Sequence, residues 1–197
     1  RHVCPSGVTT AIQTGPFPTF PMKKLIFISL PIYFLGLIYL TLPAPKLPDL
    51  SDSFRSQESG DTWQHPDQKA FYTQKSRSSV LKEIQTPFSL SLLGLTLPSF
   101  RLNYPPEEAQ TLVRDQTVST YLEEIVHPLR ESLFVNGNEP ENAPKIRASH
   151  EVEGRYYFSK ITLRPVYSAL PSRFLLWTLI FPASFLVLIS LKKSVYA

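Results

Sequence analysis

Cysteine is almost missing from this chain of 197 residues: Cys4 stands alone. That excludes an intramolecular disulfide and any metal site built on cysteine. Glycine is scarce, with seven in all. None falls in a Gly-rich loop that could cradle a phosphate or in a Gly-x-Ser-x-Gly nucleophile turn, so neither chemistry has a footing. Methionine occurs once, as Met22. The central part of the chain also lacks a strong charge of one sign. Of the 20 Lys and Arg, six lie outside residues 43–172, leaving 14 inside against all 16 acids, a net of −2. The overall +4 and the pI near 9.2 therefore belong to the two ends. Basic residues beside apolar runs speak for membrane orientation, and nucleic acid is not expected as a partner.

What the sequence has is two long uncharged runs. Leu25 to Leu42 is entered through Lys23-Lys24 and left through Pro43-Ala44-Pro45; Phe174 to Leu191 lies between Arg173 and Lys192-Lys193. Eighteen residues at about 1.5 Å each reach roughly 27 Å, close to the hydrocarbon thickness of a bilayer. Two transmembrane helices, 22–42 and 173–191, are the expectation. The first fits an anchor better than a signal peptide, because the run is long and no pair of small residues follows at cleavage spacing. Pro31, Gly36 and Pro182 lie inside the spans, where a neighbouring helix can satisfy freed backbone groups, and Ala183-Ser184 permits close helix contact. The paired lysines put both termini, including the tail 192–197, in the cytoplasm and the central domain outside, with Arg173 opposing by one charge. Residues 1–21 carry four prolines and no period. They read as an over-extended reading frame ahead of Met22 or as a disordered leader.

Between the spans, 43–67 reads as a proline-rich spacer and 68–172 as an α+β extracytoplasmic domain. Ser76 or Ser78 can cap a short helix through Gln85 whose apolar side is Val80, Leu81 and Ile84. Pro87 to Pro98 is apolar but too short to cross a bilayer, so a buried strand or an interfacial segment is expected. Pro106 with Glu107-Glu108 has the form of a helix start. Tyr121, Leu122, Ile125, Val126 and Leu129 recur at helical spacing, so a helix is predicted from about Pro106 to Val126, ending before Pro128. A three-stranded antiparallel sheet is predicted from about Leu133 to Val166, with turns at Asn136-Gly137 and Glu153-Gly154.

The run Leu102-Asn-Tyr-Pro-Pro-Glu-Glu-Ala, then Arg114-Asp-Gln-Thr, then Tyr121-Leu-Glu-Glu-Ile-Val-His-Pro-Leu-Arg-Glu-Ser-Leu-Phe-Val-Asn-Gly resembles an uncharacterised group of small two-span membrane-anchored proteins from bacteria with reduced genomes. The likeness covers about Arg55 to Leu163. It implies the same membrane-tethered architecture and no functional residues, since none is assigned in that group.

One polar cluster could carry chemistry. On the predicted helix Glu123, Glu124 and His127 share a face, and a carboxylate and imidazole three residues apart can chelate a metal. Dimetal bundles use that pair twice with two further glutamates, whereas here it occurs once, and His65 and His150 could add ligands but sit in a spacer and a strand with no motif around them. The alternative is a solvated helix end with His127 near the final carbonyls. Arg114, Asp115 and Arg130 are expected to form ion pairs beside the helix. No cofactor is implied. The expected function is a membrane-tethered interaction or scaffolding protein of the bacterial cell envelope, with the bilayer and an envelope protein, or a second copy through the spans, as partners. The alternative is an envelope hydrolase or metal-dependent enzyme using Glu123, Glu124 and His127.

Overall fold

The structure, a computed structural model, describes residues 22–92, 94–105, 120–138 and 150–196. The chain divides into two compact units, residues 1–35 and Gly36–Ala197. In the first, the described part is the beginning of helix α1 (Met22–Thr41), which contains Pro31 and exposes Phe27, Leu30 and Phe34. The second unit holds the end of α1, the domain and the C-terminal helix.

The domain is built on one antiparallel sheet. Its strands are β1 (Phe54–Arg55), β2 (Lys69–Thr73), β5 (Phe100–Tyr104), β6 (Thr120–Val126), β7 (Ser132–Asn138) and β10 (Ser159–Val166). Their order across the sheet is β1-β2-β10-β7-β6-β5. Two-residue alternation sets the faces. In β10, Ser159, Ile161, Leu163 and Pro165 are buried, while Arg164 and Val166 between them are exposed. Helix α2 (Arg77–Gln85) lays Val80, Leu81 and Ile84 into the buried cluster that the sheet supplies with Phe71, Tyr121, Ile125, Leu133, Val135, Ile161 and Leu163. Ser76 is its N-cap in extended conformation, as the sequence predicts, although its hydroxyl pairs with Ser78 at 3.2 Å rather than with the helix backbone.

Three expectations meet a different structure. The predicted helix from Pro106 to Val126 is strand β6 over its last seven residues; 106–119 lie outside the described residues, and Arg114 and Asp115 with them. Tyr121, Glu123 and Ile125 point into the core at a period of two, and His127 continues the series. Leu122 is also buried, on the other face, and this doubling produced the apparent helical stripe. The predicted turn at Asn136-Gly137 is also absent, because β7 runs straight through it. Gly137 is there for space: a Cβ would collide with Ile161 Cδ1 and the Tyr121 phenol, which roof it. The expected three-stranded sheet is thus six-stranded: of the predicted strands only β7 and β10 belong to it, β8 (His150–Val152) lies in a separate ribbon, and β1, β2, β5 and β6 complete it.

The Glu153-Gly154 turn does form, with φ of 51° and 74° suited to a tight hairpin. It joins β8 (His150–Val152) to β9 (Arg155–Tyr157), a separate two-stranded ribbon; residues 146–149 of the predicted strand lie outside the described residues. The apolar 87–98 stretch becomes a second small hairpin, β3 (Ser91–Leu92) with β4 (Leu95–Thr96), and buries Phe88 and Leu90. The stretch 43–67 is irregular apart from β1 and a 3-10 turn at Ser59–Asp61. It nevertheless packs on the domain through Leu47 and Leu50. Lys69 Nζ fastens it by donating to Leu47 O (3.0 Å) and Asp49 (2.6 Å).

Helix α3 (Leu170–Tyr196) follows β10 after a short connection and contains Pro182. Its stretch Leu170–Leu191 is long and apolar enough to cross a membrane, and its most apolar window has no buried residue. In α1 the described apolar stretch, Phe27–Thr41, is shorter. Gly36 lies against the Trp177 indole so closely that any Cβ there would overlap the ring, so glycine is what allows the end of α1 and α3 to touch.

Candidate functional site: a buried ionic joint

The residues singled out from the sequence are not brought together. A strand puts Glu124 on the face opposite Glu123, and four residues of strand separate Glu123 from His127 by about 13 Å. Each has its own partner. Glu123 is buried between Arg77, which donates from Nε at 2.6 Å, and Arg101, whose Nε stands 3.1 Å from the other oxygen at an angle that makes it a charge contact rather than a hydrogen bond. Arg77 also donates to Asn103 (2.7 Å). Glu124 accepts from the Tyr104 hydroxyl. His65 is exposed, and His150 packs on the Tyr72 ring at 5.3 Å. Among the described residues no three His, Cys, Asp or Glu side chains gather as a metal site would need.

His127 belongs to a different constellation. Residues 127–131 turn tightly from β6 into β7: His127 N–H donates to Glu131 O and Arg130 N–H to His127 O, both at 3.0 Å. Leu129 completes the reversal at φ 63°, a left-handed conformation that a Leu adopts only when its surroundings hold it there. The turn presents His127, Arg130 and Glu131 inward, and α3 adds Arg173 from its first turn. All four are buried, between 1 % and 8 % exposed.

Glu131 sits at the centre. His127 Nδ1 lies 3.1 Å from Oε1, Arg130 donates from Nε and Nη2 at 3.2 Å to Oε2, and Arg173 Nη2 is 3.5 Å from Oε2. Arg130 then reaches the end of α1. Its guanidinium donates to Tyr39 O (2.7 Å), in the last turn of α1, and to Leu42 O (2.8 Å) and Pro43 O (3.3 Å), just beyond the helix end. It also lies over the Tyr39 ring at 5.4 Å, while the Tyr39 hydroxyl donates to Pro128 O at 3.0 Å. Arg173 binds Leu40 O (3.4 Å) and clasps Ser168 through its carbonyl (3.1 Å) and hydroxyl (2.9 Å); that hydroxyl in turn donates to Arg130 O. One turn of the domain therefore holds the last turn of α1 and the first turn of α3.

The charges are matched for burial. Two guanidiniums face one carboxylate and four helix-end or linker carbonyls, which carry partial negative charge at a C-terminus. Burial alone would push the Glu131 carboxyl up, but the hydrogen bond from His127 and the charge of Arg130 outweigh it, so it titrates below the ordinary carboxylate range. A carboxyl depressed on folding stabilises the fold above its unfolded pKa, and this contribution is lost as pH falls through the folded value. Urea unfolding of the full chain in detergent micelles should therefore show stability dropping from about pH 5 to about pH 3. Glu131→Gln should be less stable at pH 7 and should flatten part of that drop. Glu58, held down by the hydrogen bonds from Lys160 and Tyr72, and Glu83, where the hydrogen bond from Lys75 helps to outweigh burial, act in the same direction, weakened by their exposure to solvent. An equally steep drop in the Gln variant would remove Glu131 as its source.

Sequence reasoning found His127 and Arg130 but gave them other roles, and it missed Glu131 and Tyr39. The available signal was the run His127-Pro-Leu-Arg-Glu131, where a proline stops a hydrogen-bonded strand next to adjacent charges of opposite sign. No protein-family model, curated protein or solved structure matches the chain.

Proposed function

We propose that this chain is a membrane-tethered interaction or scaffolding module of the bacterial cell envelope, its α+β domain held outside the membrane between two helical spans. Kinship with the small two-span membrane proteins of reduced-genome bacteria is part of the same reading. The observation that carries it is the ionic joint. A domain merely strung on a flexible linker has no use for two buried arginines committed to the end of one apolar helix and the start of another. A rigid junction suits a module that must stand at a fixed height and angle from a bilayer and meet a partner there. Partners are the bilayer itself, an envelope protein, or a second copy through the spans.

A reporter that is active only in the cytoplasm, fused after Ala197, should be active, and protease added outside spheroplasts should cut within 43–172. Cleavage of that region only from the cytoplasmic face would overturn the proposal. Cross-linking in intact cells would then identify what the module holds.

A further inference from the structure

A cleft of about 610 Å3 opens at the end of the sheet away from the joint. Strand β10 runs from Ser159, beside the cleft, to Val166, beside α3, and seven residue steps put the two ends about 23 Å apart. The cleft lies between the loop leading into β1 and the β8–β9 ribbon. Its walls combine aromatic rings, Phe54, Tyr156 and Tyr157, with three flat polar groups, the Asp52 carboxylate, the Gln74 amide and the Arg155 guanidinium. We infer that this cleft binds a short, uncharged, hydroxyl-rich oligosaccharide, with Tyr156 as the stacking platform and Asp52, Gln74 and Arg155 as hydroxyl partners. The inference deepens the tethered-module reading; it rests on that reading for an envelope source of the glycan but not for the binding itself.

Four features favour a sugar. Tyr156 is 57 % exposed, so its ring has a free face of the kind that covers the C–H face of a pyranose. Its neighbour Tyr157 packs against Tyr72 at 6.2 Å, and Tyr72 is itself held by Glu58 and by Lys160 over its ring at 5.4 Å, so the floor of the cleft is anchored to β2. Gln74 Nε2 donates to Tyr156 O at 3.1 Å, which ties the ribbon to the end of β2 and leaves the amide oxygen able to accept from a ligand. Asp52 is held at φ 45°, a conformation sparse for anything but glycine, Asn and Asp. Among the described residues neither Asp52 nor Arg155 has an ion-pair partner. One accepts hydrogen bonds and the other donates them, which matches vicinal hydroxyls, and their opposite charges favour a neutral ligand. The size falls within the range of small-molecule sites.

The test uses the full chain in a phosphocholine detergent, since sugar-headed detergents would compete. Titration with the tetrasaccharide of β-1,4-linked N-acetylglucosamine, and separately with cellotetraose, is followed by calorimetry and by saturation transfer. At least one should bind saturably with Kd of about 0.1–1 mM. Tyr156→Ala and Arg155→Ala, both at exposed positions that leave folding intact, should each weaken it at least about tenfold. Trp63→Ala, an exposed indole outside the cleft, should leave it unchanged. Failure of both tetrasaccharides to saturate by about 10 mM, equal affinity in the Tyr156 variant, or binding of unstructured peptide alone would each overturn the inference. Saturable binding combined with a cytoplasmic domain would keep the site and remove the envelope tether. An outside domain that binds neither sugar would do the reverse.

Discussion

Arg130→Ala should lower the unfolding free energy by about 3–5 kcal/mol, the range expected when one partner of a buried ion pair is removed. The loss has two parts. Glu131 would stay buried with only His127 and the more distant Arg173 to face it, Leu42 and Pro43 would lose the guanidinium donor to their carbonyls, and Tyr39 O would keep only the backbone bond from Leu42 N–H. Arg130→Lys tests geometry rather than charge. An ammonium keeps the cation but cannot reach the carboxylate and three carbonyls as a planar fork does, so it should recover part of the loss and remain below the parent. The readout is the urea midpoint of the full chain in micelles, together with protection of the 39–43 amides from hydrogen exchange. A change of Arg130→Ala within about 0.5 kcal/mol of zero, the behaviour of an exposed pair, would mean that the joint does not form in solution.

A loss of similar size, about 3–5 kcal/mol, is expected for Phe88→Ala. Phe88 has no exposed surface, belongs to the main buried cluster, and stacks on the His127 imidazole at 5.0 Å with the ring planes 19° apart. It is thus the apolar lid on one side of the ionic joint. Truncation would leave a cavity in the core and let water reach His127, whose Nε2 has no hydrogen-bond partner among the described residues. Phe88→Leu retains most of the volume and should cost less than about 1.5 kcal/mol. Comparable midpoints for parent and alanine variant would show that the stretch after α2 is not part of the core.

How far the sequence disclosed this fold depends on how local each signal is. Helix α2 was legible because Val80, Leu81 and Ile84 form one stripe behind a serine cap, and the ribbon turn because Glu153-Gly154 encodes its own backbone angles. Strand β6 was not, because one of its core-facing positions holds Glu123 and the buried position just beyond it holds His127. Charged residues at buried positions break the two-residue period in the sequence, and only the arginines of α2 and β5, 46 and 22 positions earlier, make Glu123 acceptable there. Gly137 misled for a related reason: the bulk that demands it belongs to Tyr121 and Ile161, on neighbouring strands. The joint was least legible of all. Its members come from the end of α1, the 127–131 turn and the start of α3, and no spacing rule links them. Arg173 illustrates the point, since it reads as a free juxtamembrane cation and is buried against Glu131, Ser168 and Leu40.

The joint also bears on the order of folding. Its hydrogen bonds close loops of 91 residues, from Tyr39 to Arg130, and of 133, from Leu40 to Arg173. Contacts that distant carry a closure entropy that must be met before they return any stability, so they form after local hairpins and α2. Pairing of β6 with β7 precedes them, because the 127–131 turn has to exist before its side chains can find either helix. Until then the carbonyls of Leu40, Leu42 and Pro43 lack the guanidinium donors that the joint supplies. Arrival of Arg173 closes the joint, linking the last turn of α1, the 127–131 turn and the first turn of α3.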